Sequence, residues 1–116
     1  MGIALRPVQA LRLWQQVTTA EVTGGMPDLS MRQMAILLTI YLDPPPHTIR
    51  GLAARLNVTK PVITRALDTM GVLKLVTRHR DESDLRNVLI RRTVEGALFV
   101  ERFGDSIIAR GKELAN

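Results

Sequence analysis

Residues 47–71 read HTIRGLAARLNVTKPVITRALDTMG and contain two short amphipathic segments joined by the polar elbow NVTK at 57–60. In the first segment the apolar residues recur at the i, i+3, i+4, i+7 spacing of a helix with one buried face. These residues are Ile49, Leu52, Ala53 and Leu56. An isolated helix shorter than about 12–15 residues is marginal in water, so both segments must pack against each other and against a larger body.

The second segment is predicted to be a helix with Thr59 as its N-cap and Pro61 in its first turn. One face of this helix is apolar and is expected to be buried. That face carries Ile63, Ala66, Leu67 and Met70. Lys60, Thr64 and Arg65 lie on the opposite side, where the core does not need them. This polar side is therefore the first candidate binding surface.

The hydrophobic period changes after the second helix. Residues 75–80, LVTRHR, and 87–92, NVLIRR, are rich in β-branched residues and flank the charged tetrapeptide DESD at 81–84. This pattern predicts a β-hairpin with a charged tip. Two short helices with a tight elbow, followed at once by a basic hairpin, predict a winged helix-turn-helix. The fold class is thus mainly α with a small β-hairpin wing at 75–92.

A buried helix is predicted before this motif. Ser30 followed by Gln33 is a capping-box pattern, and the segment 31–42 that it opens is apolar on nearly every side. The proline-rich segment 43–46 then stops the helix, because proline cannot continue one. We expect 31–42 to be the central helix of the winged helix-turn-helix core at 30–93, within a single domain spanning 1–116.

Each end of the chain is predicted to form a striped helix. Pro7 suits the first turn of a helix at 7–22, and Thr93 can cap a last helix at 94–114. The stripes consist of Ala10, Leu13, Trp14 and Val17 in the first helix and Ala97, Val100, Phe103 and Ile107 in the last. Either an intramolecular core or a seam between two copies could bury them, and the small chain favours the seam. The predicted homodimer interface is Leu13, Trp14, Val17, Val100, Phe103 and Ile107.

Composition limits the classes of protein that fit. The chain has 116 residues and no cysteine, which excludes disulfides and cysteine nucleophiles. Its longest strongly apolar run, 35–42, falls far short of the ~20 residues that span a bilayer. The first residues also lack the apolar region of a signal peptide. We expect a cytoplasmic protein with no membrane partner.

The basic residues are concentrated in one part of the chain. The net charge is +5, and residues 59–92 carry +4 of it, with eight basic against four acidic residues. A local basic excess is typical of proteins that bind polyanions. On charge alone, a solvated charged face explains the pattern equally well.

The order of elements makes double-stranded DNA the expected polyanion. The major groove admits one α-helix, whose N-terminal residues reach the base edges. Arginines of a wing can then reach the neighbouring minor groove, whose negative potential attracts guanidinium groups. The candidate DNA-binding residues are Thr59, Lys60, Pro61, Thr64, Arg65, Arg78, Arg80, Asp84 and Arg86.

Three motifs in this order resemble the MarR family of bacterial transcriptional regulators. They are LSMRQMAILLTIYL at 29–42, TIRGLAARLNVTKPVITRALDTM at 48–70, and LVTRHRDESDLRNVLIRRTVEG at 75–96, with its Asp-x-Arg and Thr-x-x-Gly. The resemblance implies a homodimer whose terminal helices interlock. Two recognition helices would enter successive major grooves of a pseudo-palindromic operator. Arg86 of each wing would touch the minor groove, with Asp84 orienting it.

Three features depart from the family pattern. Lys74 stands where the family usually has glycine, so it should adopt a left-handed turn or shift the helix end. Arg92 replaces an apolar core anchor before Thr93. Only residues 97–116 follow Gly96, where the family commonly has two more helices. This last departure affects the extent of the dimer interface and of the family's ligand pocket.

An enzyme is a poor fit to this sequence. His47 and His79 have no partner nearby in the sequence and are expected at the surface, and no glycine-rich phosphate loop is present. The acidic tip at 81–84 lacks the glycine and the distal glutamate of a calcium loop. We therefore predict no catalytic residues, no metal site and no cofactor.

Other binding functions were weighed against sequence-specific DNA recognition. The alternative is a winged helix that serves as a protein-interaction module. A docking surface would be expected to show exposed aromatics, and the chain has only four aromatic residues. Non-specific binding of single strands is disfavoured because the basic segment has no aromatic stacking residues. The operator, the regulated genes, repression against activation, and any small-molecule effector are left open.

Overall fold

Five helices and three short strands make up the computed structural model, which describes residues 4–114. The elements are α1 (Pro7–Thr23), α2 (Met31–Leu42), β1 (His47–Thr48), α3 (Ile49–Leu56), α4 (Lys60–Val72), β2 (Val76–Arg80), β3 (Val88–Arg92) and α5 (Val94–Leu114). The strands form one antiparallel sheet in the order β1-β3-β2. The predicted fold, a mainly α winged helix-turn-helix, is confirmed. Among the described helices none combines the length and apolar character needed to cross a lipid bilayer.

The chain divides into two compact units. One unit is Leu29–Val100, which contains α2, the two short helices, the sheet and the start of α5. The other combines the N-terminal segment up to Asp28 with the C-terminal segment from Glu101. The single domain expected over residues 1–116 stays a prediction.

The core of the larger unit is assembled from all of its helices and from strands β2 and β3. It contains Ile36, Leu37, Ile40, Leu52, Ala53, Ile63, Ala66, Leu67, Met70, Leu75, Val76, Ile90 and Phe99. The buried face predicted for the second short helix is confirmed at all four positions. The central role predicted for α2 is also supported, since Ile36, Leu37 and Ile40 are fully buried. Its apolar end residues, Met31 and Leu42, are strongly exposed.

Local hydrogen bonds fix where the helices begin. The Ser30 hydroxyl accepts from the Gln33 N–H at 3.1 Å, and the Gln33 side chain accepts from the Ser30 N–H at 2.8 Å, which confirms the capping box. The Thr48 hydroxyl caps α3 by accepting from the Gly51 N–H at 2.9 Å. Thr59 occupies the N-cap position of α4, as predicted, but its side chain makes no capping hydrogen bond.

The elbow between α3 and α4 depends on a left-handed residue. Asn57 has φ 55° and ψ 47°, a conformation that asparagine tolerates better than most residues. The Val58 N–H then bonds back to the Ala53 carbonyl at 3.0 Å, which closes the end of α3. The chain can therefore enter α4 after only three residues.

Strand β1, which the sequence did not predict, corrects two expectations. β1 pairs with β3, with His47 opposite Ile90, so the wing belongs to a three-stranded sheet instead of a two-stranded ribbon. His47 is consequently buried, and its Nε2 lies 3.1 Å from the Asp43 carbonyl oxygen. The prediction of a surface histidine was wrong at this position. A two-residue strand has too few residues to show the alternation that reveals strands.

Hydrogen bonds around Tyr41 hold the wing against the rest of the unit. The Tyr41 hydroxyl donates to the Leu75 carbonyl at 2.6 Å and accepts from the Thr93 N–H at 3.0 Å. The Thr93 hydroxyl in turn donates to the Lys74 carbonyl and accepts from the Gly96 N–H, each at 2.8 Å, which confirms that Thr93 caps α5. Lys74 adopts the left-handed φ of 62°, the first of the two outcomes expected there.

Arg92, the charged replacement for an apolar anchor, lies across the C-terminal end of α2. Its Nε donates to the Ile40 carbonyl at 2.8 Å, and one Nη donates to the Asp43 carbonyl at 2.9 Å. Its guanidinium carbon lies 5.9 Å from the centre of the Tyr41 ring. Carbonyls at the end of a helix lack intrahelical partners, and Arg92 supplies donors for them. Arg92, in place of the family's apolar anchor, thus replaces apolar packing with hydrogen bonds that cap the C-terminal end of α2.

The stripe predicted for α5 needs one correction. Ala97 is exposed, whereas Phe99 is buried and was not included in the prediction. Phe99 and Phe103 are one turn apart, so the buried side of α5 is rotated relative to the predicted stripe.

Gly96→Ala should lower the free energy of unfolding by about 1–3 kcal/mol, because overpacking forces backbone shifts. A Cβ at Gly96 would collide with the Tyr41 hydroxyl and the Leu75 carbonyl oxygen. Gly71→Ala is the matched control, since a Cβ there meets no atom within 4 Å. It should be neutral or stabilise by up to about 1 kcal/mol through helix propensity. Urea unfolding at one fixed protein concentration measures both, and equal stabilities would contradict the close approach.

Candidate nucleic-acid interface

The exposed side of α4 carries the predicted recognition residues. Lys60 and Arg65 are exposed, whereas Thr64 is half-buried. Ile63 and Met70 anchor the opposite side in the core, which fixes the rotation of the helix. Within the described part of the chain, the side chains of Lys60 and Arg65 form no ion pair or hydrogen bond. Both cations are therefore available to an external anion.

A cleft of about 220 Å³ lies between the first turns of α3 and α4 on one side and residues 86–88 of the wing on the other. It is lined by Thr48, Ile49, Arg50, Lys60, Thr64, Arg86, Asn87 and Val88. Three residues predicted from distant parts of the sequence, Lys60, Thr64 and Arg86, thus border one space. The remaining predicted residues of α4, Thr59 and Pro61, are exposed at the N-terminal end of the same helix.

Asp84 and Arg86 form a two-pronged pair at the tip of the wing. Arg86 Nε donates to one carboxylate oxygen at 3.0 Å, Nη2 donates to the other at 3.2 Å, and the Arg86 backbone N–H adds a third bond at 3.1 Å. The side-chain bonds first, and then the backbone bond, hold the pKa of the Asp84 carboxyl below its ordinary value. Above the ordinary pKa of an aspartate the Asp84 carboxylate is fully ionised and the ion pair is formed. The pair is lost only as the pH falls through the lowered pKa of Asp84. Arg86 is 83% exposed, so the pair orients a guanidinium that still faces solvent.

The rest of the tip is a closed turn. Asp81 accepts from the Ser83 hydroxyl at 2.7 Å and from the Ser83 N–H at 3.0 Å, and these bonds lower the pKa of the Asp81 carboxyl. The Asn87 N–H bonds to the Asp84 carbonyl at 2.9 Å. Asp81 and Asp84 are thus engaged within the turn. Residues 4–114 contain no group of three or more His, Asp or Glu side chains placed to hold a metal ion.

Two predicted wing residues have partners inside the protein. Arg78 pairs with Asp68 at 2.8 Å, which joins β2 to α4, and Arg80 donates to the Leu85 carbonyl at 3.0 Å across the hairpin. Surface ion pairs of this kind contribute little to stability and exchange readily for other partners. Arg78 and Arg80 are therefore less directly available to an anion than Lys60, whose side chain has no partner among the described residues. Their contact with DNA stays a prediction.

Arg50 is a residue that the sequence reasoning missed. It lies on the exposed side of α3, lines the cleft, and its positive charge contributes to lowering the pKa of Asp84. The apolar periodicity of α3 carries no information about its exposed face. The sequence signal for Arg50 is a basic residue in the first turn of α3, beside the capping Thr48.

The residues predicted for a dimer seam differ in exposure. Val17 and Phe103 are already buried, and Leu13, Val100 and Ile107 are half-buried. Trp14 is 45% exposed. Other large apolar side chains are exposed on the two terminal helices, namely Val8, Leu11, Val22, Val94, Leu98 and Ile108. Both helices therefore present apolar surface that this single chain leaves in contact with water.

The chain belongs to the MarR family of winged helix-turn-helix transcriptional regulators, whose family model matches residues 29–88. That span covers α2, the helix-turn-helix and the wing up to the first residue of β3. A search of curated proteins found no significant match. The family assignment therefore rests on the family model.

Solved structures of similar fold include two DNA complexes. A mutant of MepR from S. aureus, bound to an oligodeoxyribonucleotide, superposes with a TM-score of 0.81 at 21% identity over 93% of this chain and 77% of that one. The S. aureus MepR–DNA complex gives 0.75 at 24% identity, covering 90% and 82% of the two chains. The PcaV transcriptional regulator from Streptomyces coelicolor gives 0.67 at 24%, covering 95% and 81%. At these identities the similarity shows a shared fold.

Proposed function

We propose that this protein is a transcriptional regulator that binds double-stranded DNA sequence-specifically, as a homodimer on a pseudo-palindromic operator. The observation that carries the proposal is the cleft where the exposed N-terminal end of α4 faces Arg86 of the wing. A helix end and a wing arginine on one surface can address the major groove and the adjacent minor groove of a duplex. Membership of a family of DNA-binding regulators, and the fold shared with MepR in its DNA complexes, support the same function.

Recognition in the major groove is assigned to α4. Arg65 projects from the exposed face more than one turn into the helix, at the depth where side chains meet base edges. Lys60 lies in the first turn, where a phosphate is the expected neighbour. Arg65 therefore reads sequence, and Lys60 supplies affinity that does not depend on sequence.

Contact with the minor groove is assigned to Arg86. Its bidentate pair with Asp84 restricts the guanidinium before DNA arrives, which lowers the ordering cost of binding. An arginine in the minor groove reads mainly width and electrostatic potential. Arg86 therefore strengthens binding with little influence on the bases chosen by α4.

Dimerisation is assigned to α1 and α5. Large apolar side chains exposed on both helices, Trp14 among them, would be removed from water by a second copy. A twofold dimer presents two recognition helices to half-sites one helical turn apart, which accounts for a pseudo-palindromic operator.

A protein-interaction module is the other function that a winged helix could serve. The exposed cations on α4 and the wing favour DNA, because interface cores between proteins are depleted in charged residues. The regulators of this family act by binding DNA, so we propose no enzymatic activity. A small-molecule effector is neither required nor excluded by this function.

A homodimer should sediment at micromolar concentration with twice the mass of the chain. Trp14→Glu places a charge in the proposed seam and should shift the equilibrium toward monomer, because burying an unpaired charge is costly. Trp14→Phe keeps an apolar aromatic side chain and should leave the dimer intact. A strictly monomeric parent protein would contradict the assignment of α1 and α5.

Arg65→Ala should change which sequences are chosen, whereas Lys60→Ala should change only how tightly all sequences are bound. Losing a bidentate base contact costs about 1–3 kcal/mol and relaxes the preference at one position of each half-site. Losing a phosphate contact reduces the salt dependence by about one unit per site. Selection from random duplex DNA, followed by titrations at two salt concentrations, measures both effects.

The opposite result would mean that α4 is rotated in the groove. In that case Lys60→Ala would alter the preferred sequence and Arg65→Ala would not. If neither substitution affects binding, or if the parent selects no sequence, the DNA-binding assignment itself fails.

Arg86→Ala should weaken binding to the selected operator with little change in the preferred major-groove bases. Asp84→Ala should weaken it less, because it only frees the guanidinium to sample other orientations. Fluorescence anisotropy at physiological salt measures both variants against the same duplex. Parent-like affinity for Arg86→Ala would rule out a wing that contacts DNA.

A further inference from the structure

The cleft between α3, α4 and the wing holds more positive charge than the protein neutralises. Arg50, Lys60 and Arg86 line it, and Asp84 lies beside it as the paired carboxylate of Arg86. The other lining residues are neutral. Four charged groups thus leave a surplus of two positive charges around one concave space, which favours an anion there.

Lys60 is assigned to a phosphate and Arg86 to the minor groove, so Arg50 is the one cation lining this cleft that has no proposed ligand. Among residues 4–114, no carboxylate lies within ion-pair distance of it, and its side chain forms no hydrogen bond there. The neighbouring Asp84 uses both carboxylate oxygens for Arg86. The guanidinium of Arg50 is exposed and retains its donors for an external ligand.

We propose that Arg50 binds a backbone phosphate of DNA in this cleft. The inference rests on the proposed function and adds a contact from α3, the helix before the recognition helix. If α4 occupies the major groove and Arg86 reaches the adjacent minor groove, one sugar–phosphate strand separates the two grooves. That strand must cross between Lys60 and Arg86, and Arg50 lines the same cleft as both.

A phosphate is a better ligand for Arg50 than a base edge. The first helix of a helix-turn-helix crosses the DNA backbone while the second enters the groove. Arg50 belongs to the first of these helices, α3. Arginine also matches phosphate oxygens with two parallel N–H bonds. The contact fixes the register of the protein on the duplex and carries no sequence information of its own.

Arg50→Ala tests this assignment in the full-length protein. Affinity for the selected operator and for an unrelated duplex should fall alike, by about tenfold or more for each. The slope of log K against log salt should decrease by about 0.9 for each chain bound. Arg55→Ala is the matched control, because it removes the same charge from the same helix. Arg55 pairs with Asp43 at a different cleft, so its loss should leave the slope unchanged.

Single methylphosphonate substitutions along the operator locate the contact. One neutralised phosphate per half-site, between the major-groove and minor-groove contacts, should weaken the parent protein and have no effect on Arg50→Ala. The alternative is that Arg50 only positions the Asp84–Arg86 pair. The effect of Arg50→Ala would then disappear in an Arg86→Ala background, whereas a direct phosphate contact predicts that it persists.

The outcomes separate this inference from the proposed function. If the parent binds no operator, the proposed function fails and the inference fails with it. If the parent binds and Arg50→Ala keeps the parental slope and methylphosphonate profile, only the Arg50 contact is overturned. Loss of the effect in the Arg86→Ala background overturns it as well.

Discussion

The hydroxyl of Tyr41 is the interaction on which the geometry of the larger unit depends. It bonds to Leu75 at the start of the wing and to Thr93 at the end of it, and so joins both ends of the hairpin to α2. Gly96 lies so close to this hydroxyl that no side chain fits there. The wing therefore leaves the body of the protein in one direction, and Arg86 at its tip reaches the cleft beside α4.

The cations of this unit fall into two groups that the net charge does not distinguish. Arg55, Arg78 and Arg92 are bound to carboxylates or to backbone carbonyls, and they connect one element to another. Arg50, Lys60 and Arg65 have no such partner in residues 4–114. Exposed charges of the second kind cost little to keep in water and interact strongly with a polyanion. The proposed binding surface contains the unpaired cations Arg50, Lys60 and Arg65, a distinction that the basic total does not reveal.

Two departures from the family pattern have structural compensations. Lys74 accepts a left-handed conformation at the entry to the wing, where its carbonyl receives a hydrogen bond from Thr93. Arg92 replaces an apolar anchor and instead donates to carbonyls at and beyond the end of α2 while covering the Tyr41 ring. Both changes lie at the base of the wing, and the hydrogen bonds around Tyr41 accommodate them without changing the fold.

The sequence by itself determined the helices, the caps at Ser30 and Thr93 and the class of fold, because period, capping residues and the order of elements are local properties. It also separated the buried from the exposed side of α4, since the four apolar positions fix the rotation of a helix. Only the tertiary structure decided that His47 is buried beside β3, that Arg78 is paired with Asp68, and that Arg50 lies beside Arg86. These facts depend on which distant segments meet, and that is set by the packing of the whole unit instead of by the spacing of residues along the chain.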